Sequence, residues 1–228
     1  MPKQKPGRAV APFKSNTNLA KPSQRFAVGD TEIHPLQLYR NLERHPRGAG
    51  PWTGEPDKLA WVDARTGMSC IILRQANGTL GGYVAVAPNH PLWGFAYDAI
   101  PAELDISAHR GLDYSESCRE YERESIAICH VSERRRSGRT HPGGGEWNKS
   151  GDNTWWFGFG CDKPGDLVPH GYKPPRHRED GEVYRTIDYV YEETCALARA
   201  LNALDDGCAP SSGVPLAPRA TDTTPDKA

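Results

Sequence analysis

The feature that most constrains this chain is an apolar stripe near its C-terminal end. Apolar residues recur there at alternating steps of three and four, the spacing that places side chains on one face of an α-helix. Thr186 is a candidate N-cap, and Gly207 is a suitable stop. The pattern therefore predicts a long helix that buries one face. The stripe consists of Val183, Ile187, Val190, Thr194, Leu197, Leu201 and Leu204.

Short apolar segments supply the surface that this helix would cover. Cys70–Arg74 and Gly82–Ala87 flank the turn dipeptide Asn77-Gly78 and predict a β-hairpin. The segment Pro35–Glu43 has approximate helical spacing and predicts a first helix. These elements together predict an α+β fold, a small, mainly antiparallel sheet with the long C-terminal helix packed on one face. Further strands are predicted at Leu59–Asp63, His109–Tyr114, Ser125–Val131 and Thr154–Phe159.

Composition sets the expected boundaries of the folded region. Residues 1–30 carry six Lys or Arg and no acid before Asp30, so they predict a disordered basic arm. Residues 31–207 are predicted to form a single domain, in which the Arg- and Gly-rich stretch 132–152 is a mobile loop. Residues 208–228, rich in Pro, Thr, Ser and Asp, predict a disordered tail.

Charge and cysteine usage narrow the class of protein. The net charge of −1 gives no general electrostatic reason to bind nucleic acid. No apolar run approaches the ~20 residues of a membrane span, and the basic N-terminus lacks the apolar core of a signal peptide. We therefore predict a cytoplasmic protein. The six cysteines form no CxxC pair, which favours buried free thiols over disulfides.

The segment Thr154–Asp166, TWWFGFGCDKPGD, is predicted to mark the working face. On a strand, alternation points Trp155, Phe157 and Phe159 to one side, and Trp156 and Gly158 to the other. The first set is the more apolar, so it is expected under the C-terminal helix. Trp156 is then expected on a more open face, beside a glycine that leaves room for a ligand.

Aromatic and basic residues together favour a small anionic or nucleotide-like ligand, because aromatic rings stack on bases while basic groups hold phosphate. In the alternative reading, the aromatic rings fill the core and the basic residues are solvated. No cofactor and no metal are predicted. The predicted ligand-binding residues are His90, His109, Arg110, Trp156, Lys163 and Asp166.

Two other functions remain open. A hydrolase could use Cys161 as nucleophile, or a metal held by His90, His109 and Asp166, although the chain has no HExxH, zinc-deaminase or P-loop pattern. A protein-interaction module that blocks a host factor could use the basic arm and the basic residues 134–139. No residue is assigned to catalysis.

Five motifs in order, GGYVAVAPNHPLWGFAYD, HRGLDYS, ICHV, TWWFGFGCDKPGDLVP and YRTIDYVYEETCALARAL, resemble a family of uncharacterised proteins encoded by phages and bacterial genomes. The likeness runs from about Trp52 to Leu204. It implies an accessory protein, with a role in countering host defence by binding a nucleotide-like signal. Family members read HGGL where this chain has HRGL at 109–112. They read GFDCAHxGD where it has GFGCDKPGD at 158–166, so that Gly160 and Lys163 replace an acid and a histidine of the second motif. That departure weakens a catalytic or metal role more than a binding role.

Overall fold

The C-terminal helix and an antiparallel sheet dominate the computed structural model, which describes residues 17–21, 24–118, 122–129, 154–170 and 181–205. The helix, α1, spans Ile187–Asp205. Two short 3₁₀ helices lie at Tyr97–Ala99 and Ala102–Leu104. The strands are β1 Phe26–Val28, β2 Thr31–Ile33, β3 Gln37–Tyr39, β4 Lys58–Val62, β5 Ser69–Arg74, β6 Leu80–Val86, β7 Tyr114–Ser117 and β8 Trp155–Gly160.

The predicted α+β architecture is confirmed. Six strands form one sheet in the order β3-β4-β5-β6-β8-β7, and every neighbouring pair is antiparallel. The predicted hairpin is also present, because β5 pairs with β6 across a turn in which Gly78 has a φ of +85°. β8 returns from a distant part of the chain to pair with β6 on one side and with β7 on the other.

Helix α1 covers one face of this sheet, as the stripe predicted. Its residues from Ile187 to Leu204 pack on the inward side chains of β4, β5, β6 and β8, among them Phe157 and Phe159. Gly82 is required here, because an added Cβ would lie 2.2 Å from Oγ1 of Thr194.

The helix starts later than the stripe. Val183 is 53% exposed and forms an isolated bridge with Asp166 instead. The carbonyl of Thr186 accepts the first helical hydrogen bond, so this residue occupies the predicted N-cap position.

The predicted first helix, Pro35–Glu43, is wrong. Leu36 donates its N–H to the carbonyl of Ala60, and β3 pairs with β4 from Gln37 onwards. The N–H of Asn41, just beyond β3, donates to Oδ2 of Asp57 at 2.6 Å. Tertiary partners therefore satisfy the backbone in an extended form, which outweighs a weak local preference for helix.

Two predicted strands are also wrong. His109 and Arg110 have φ values of +36° and +65°, which no strand permits, and pairing begins only at Tyr114. Residues 125–129 of the second segment form turns and bends. Cys129 there is joined to Cys118 by a disulfide, with Cα atoms 5.0 Å apart, which corrects the expectation of free thiols at these two positions.

The folded region begins before residue 31. The β1–β2 hairpin lies against the start of α1, where the N–H of Gly29 donates to Oδ1 of Asp188 at 2.7 Å. Val28 is 1% exposed within the main core. The described part of the predicted arm therefore belongs to the domain, while residues 1–16, 132–152 and 206–228 lie outside the described residues.

A buried charge network ties the start of α1 to the sheet. Arg74 is 0% exposed, and its Nε and Nη2 contact Asp57 at 2.5 Å and Glu55 at 2.9 Å. The other oxygen of Glu55 accepts the N–H of Ile187 at 2.8 Å, and Tyr184 donates its hydroxyl to Glu55 at 2.7 Å. The network thus caps the first turn of the helix from a loop more than a hundred residues away in sequence.

The face of the sheet opposite α1 is also covered. Trp156 is 0% exposed and packs there with Ile71, Tyr83 and their neighbours, so the expectation of an open face beside it is wrong. Gly158 leaves room for the ring of Tyr83, which would lie 2.2 Å from an added Cβ, and not for a ligand. Ile128 packs on the same cluster from the 122–129 segment. We call this surface the second face.

Lys58 is buried on the second face. Its side chain is 0% exposed, and Nζ donates to the carbonyl of Glu124 at 2.5 Å. Desolvation lowers the pKa of Lys58 to about 7, against the opposing effect of the Glu124 and Glu122 charges. Since the unfolded lysine keeps its proton up to about pH 10, the unfolded state binds more protons than the folded state above pH 7.

This difference makes stability rise with pH. We expect the free energy of unfolding of the wild type, relative to Lys58→Met, to increase by about 2 kcal/mol between pH 7 and pH 9. Urea unfolding of both proteins at the two pH values measures it, and the variant corrects for other groups that titrate in this range. An unchanged difference between the two proteins would show that Lys58 is not desolvated.

Candidate functional site

Two of the sequence motifs meet at one end of the sheet. Residues 109–113 precede β7, and residues 161–166 follow β8, so the pairing of these two strands brings both loops to the same place. The carbonyl of Gly111 accepts a hydrogen bond from Nζ of Lys163 at 3.0 Å. Three successive residues, 109 to 111, have positive φ, which marks a backbone held by its surroundings.

A buried His–Asp pair fixes the first loop to the second. Nε2 of His109 lies 2.6 Å from Oδ2 of Asp166, and Nδ1 lies 2.9 Å from the hydroxyl of Tyr189 on α1. The backbone N–H of His109 donates to Glu193 at 2.7 Å. With both ring nitrogens and its amide engaged, and 4% of its surface exposed, His109 positions the loop.

Asp166 remains charged in this anchor. Its burial would raise its pKa, but the hydrogen bonds from His109 and Arg185 outweigh that effect and hold the pKa of Asp166 below its ordinary value. Nε of Arg185 lies 2.8 Å from Oδ1, and the N–H of Lys163 lies 3.1 Å from Oδ2. Asp166 is 0% exposed, so it organises the site from behind and does not meet solvent.

The basic residues of the two loops lie further out. Nζ of Lys163 pairs with Oδ2 of Asp113 at 2.9 Å. Arg110 is exposed, donates to the carbonyl of Pro164 and lies over Gly165. These two cations form the rim of the site and keep part of their surface towards solvent.

An open cleft of about 370 Å³ lies beside this rim. Its walls include two tyrosines from β6 and β7, the strands on either side of β8, and their rings meet edge to face with centroids 5.1 Å apart. Tyr83 is buried and its hydroxyl accepts a hydrogen bond from Gln75, whereas Tyr114 keeps part of its ring exposed. The cleft is lined by Gln75, Ala76, Asn77, Tyr83, Asp113, Tyr114, Gly160 and Asp162.

Two carboxylates define the chemistry of the cleft. Oδ2 of Asp113 accepts the N–H of Gly160 at 3.1 Å, and Oδ2 of Asp162 accepts the side chain of Asn77 at 3.1 Å. Within the described part of the chain, Oδ1 of each aspartate has no hydrogen-bond partner. Both carboxylates approach Gly160, since an added Cβ would lie 3.1 Å from Asp162 and 3.5 Å from Asp113. The cleft therefore offers acceptors to a ligand that carries hydroxyl or amino groups.

The structure brings together four of the six predicted ligand-binding residues. His109, Arg110, Lys163 and Asp166 belong to the two loops described above. His90 does not: it is buried, donates from Nε2 to the carbonyl of Leu201 at 3.0 Å, and accepts the N–H of Leu92 at 3.1 Å. Both of its ring nitrogens are therefore occupied.

Trp156 also lies apart from the cleft. Its indole is enclosed in the core of the second face, as described above. The aromatic residues that line the cleft are Tyr83 and Tyr114, and neither is among the six predicted ligand-binding residues. Asp113 and Asp162 were not predicted either, although they lie inside the HRGLDY and GCDKPGD motifs.

The hydrolase alternative finds no support in this geometry. Cys161 is 1% exposed, and its burial raises the pKa of its thiol, so the thiolate needed for attack is disfavoured. Among the described residues, no group of three His, Cys, Asp or Glu side chains could hold a metal ion. The metal set named in this alternative lacks His90, because both of its ring nitrogens are bonded elsewhere.

Comparisons with known proteins add no assignment: no family model, curated protein or solved structure matches the chain. The resemblance to the phage and bacterial family therefore stays a prediction. In the described part of the chain, no helix has the length and apolar character to cross a membrane.

Proposed function

We propose that the protein binds a small nucleotide-like ligand in the cleft between Tyr83, Tyr114, Asp113 and Asp162. The observation that carries the proposal is the placement of the partly exposed Tyr114 ring next to two carboxylates, each with one oxygen that has no partner among the described residues. Such a combination suits a nucleoside: the base stacks on the ring, while sugar hydroxyls or base amino groups donate to the carboxylates.

The charges divide the cleft into two parts. Asp113 and Asp162 make its interior unfavourable for an anion, whereas Lys163 and Arg110 stand at the rim. A phosphate would therefore lie at the rim, with the nucleoside inside. The sequence-based expectation placed the whole ligand against basic and aromatic residues. In this proposal the basic residues contact only the phosphate, and the carboxylates contact the nucleoside. The predicted role against host defence depends on the ligand's identity and remains part of the proposal.

The variant Asp162→Asn tests the role of the carboxylate. Calorimetry with adenosine, adenosine monophosphate and ribose 5-phosphate should find at least one binder, and the variant should weaken it by about 10–100-fold, the equivalent of a lost charged hydrogen bond. Asp98→Asn, an exposed acid outside the cleft, is the charge-matched control and should bind normally. Asp162→Asn binding as tightly as the wild type would contradict the proposal.

A second variant blocks the cleft without removing a charge. Gly160→Ala places a methyl group between the two carboxylates, and Gly160 has no positive φ that would strain an alanine. We expect the same ligand to be lost while the melting temperature of the free protein changes little. Wild-type protein should gain about 2.7 kcal/mol of stability at 100 times the Kd of a true ligand. No stabilisation by any nucleoside, nucleotide or sugar phosphate would count against the cleft.

A further inference from the structure

The Cys118–Cys129 disulfide lies at a position where it can control access to the second face. Cys118 follows edge strand β7 directly, and Cys129 ends the described segment 122–129. Both cysteines are half-buried, so a small reductant can reach them. The other described cysteines, Cys70, Cys161 and Cys195, are free and buried.

Burial makes the three free cysteines less reactive than the Cys118–Cys129 pair. It raises the pKa values of Cys70, Cys161 and Cys195, which leaves each of them a poorly reactive thiol. Thiol–disulfide exchange needs an accessible sulfur, so the pair 118/129 is the site in the described chain at which redox chemistry can proceed.

The segment that the disulfide holds forms a cover over buried polar groups. Its Glu124 accepts two hydrogen bonds from the second face: Lys58 Nζ to the backbone carbonyl, and the Tyr39 hydroxyl to the carboxylate, both at 2.5 Å. Ser125 and Ala127 are 3% and 4% exposed, and Ile128 packs on the apolar cluster around Trp156. Lys58 is therefore enclosed because this segment lies over it.

We propose that Cys118 and Cys129 form a redox couple that controls whether residues 122–129 cover the second face of the sheet. A dithiol reductant breaks the S–S bond, is itself oxidised to a disulfide, and delivers two electrons and two protons to yield two cysteine thiols. Without the covalent tie to β7, the segment keeps only its few non-covalent contacts and opens, which exposes Lys58 to solvent. The inference concerns the face opposite α1 and does not depend on ligand binding in the cleft.

The experiment measures how fast Lys58 reacts with an amine-reactive ester at pH 8, in protein treated with dithiothreitol and in oxidised protein. Peptide mass spectrometry reports the rate relative to Lys21, which is exposed in the structure. We expect reduction to speed the labelling of Lys58 at least tenfold against this internal reference, and reoxidation to restore the slow rate. Iodoacetamide should modify Cys118 and Cys129 only after reduction.

The double variant Cys118→Ser/Cys129→Ser is the matched control. It should label quickly at Lys58 with and without dithiothreitol, while the reversible cycle of the wild type keeps the test valid if this variant folds poorly. Labelling of Lys58 that stays within twofold, although both cysteines are alkylated, would overturn the inference. Two free thiols at these positions in air-oxidised protein would overturn it as well.

Discussion

Replacement of Arg74 by methionine should lower the free energy of unfolding by about 3–5 kcal/mol, the cost of breaking a buried ion pair from one side. Methionine keeps the apolar volume but leaves the Glu55 and Asp57 carboxylates buried without their shared cation. Urea denaturation monitored by tryptophan fluorescence measures the loss. Arg65→Met, at an exposed position, is the control and should stay within about 0.5 kcal/mol of the wild type.

The same network makes a second, local prediction for this variant. Because Glu55 accepts the N–H of Ile187, a disturbed Glu55 also uncaps α1. Amide hydrogen exchange in the first turn of the helix should therefore accelerate more than exchange in its last turn. Adding Glu55→Gln and Asp57→Asn to Arg74→Met should recover part of the stability, since the buried charges are then removed together. A loss below about 1 kcal/mol for Arg74→Met alone would mean that the network contributes little.

Truncation of Trp156 to alanine should be about as costly, at roughly 3–5 kcal/mol, because it removes a fully buried indole from the core of the second face. Trp155→Ala should cost less, about 1–2 kcal/mol, since this ring keeps part of its surface exposed. Trp155 does lose a hydrogen bond from Nε1 to the carbonyl of Phe95 at 2.9 Å. Chemical denaturation of the two variants side by side decides the order.

This order reverses the one that the sequence favours. If Trp155→Ala proved the more destabilising variant, the second face would be more open than the structure describes. The two variants differ by one position on the same strand, so β propensity and strand pairing are closely matched between them. The comparison therefore isolates burial of the indole from other effects of the change.

The tryptophans illustrate where sequence reasoning succeeds and where it ends. Strand alternation correctly assigned Phe157 and Phe159 to the helix-covered side and Trp156 to the other. Alternation cannot tell whether the other side is covered, because the covering segment 122–129 is distant in sequence and forms turns and bends instead of the predicted strand. The apolar side chains of the run SIAIC predicted a strand, and the same side chains allow it to pack on the second face.

The long helix was predictable because its stripe extends over many residues and repeats regularly. The nine-residue segment PLQLYRNLE was not, since so short a helical spacing also fits a strand followed by turns. The segment is extended because it pairs with β4 and because the Asp57 carboxylate accepts the N–H of Asn41. Asp57 itself lies in a Pro- and Gly-rich stretch of the sequence. Charged residues at the ends of the apolar runs KLAWV and CIILR were the available signal for the buried positions Lys58 and Arg74.

For the site, the sequence identified the two loops but not the side chains that line the cleft. His109 and Arg110 were predicted to bind ligand because basic side chains commonly hold phosphate, but His109 holds a strained loop in place. Asp113 and Asp162, each with one oxygen that has no partner among the described residues, look like ordinary turn residues in the sequence. Only the pairing of β7 with β8 places them on either side of Gly160.

The most direct test of the proposed cleft is the amide signal of Gly160 in a ¹H–¹⁵N spectrum during titration with adenosine monophosphate. This N–H donates to Asp113, so a ligand that engages the carboxylate must change its chemical shift. We predict saturable shifts at Gly160, Tyr114 and Asp162, with none at Trp156 or His90. Saturable shifts confined to residues away from the cleft, or no shifts with any nucleoside, nucleotide or sugar phosphate, would contradict the account.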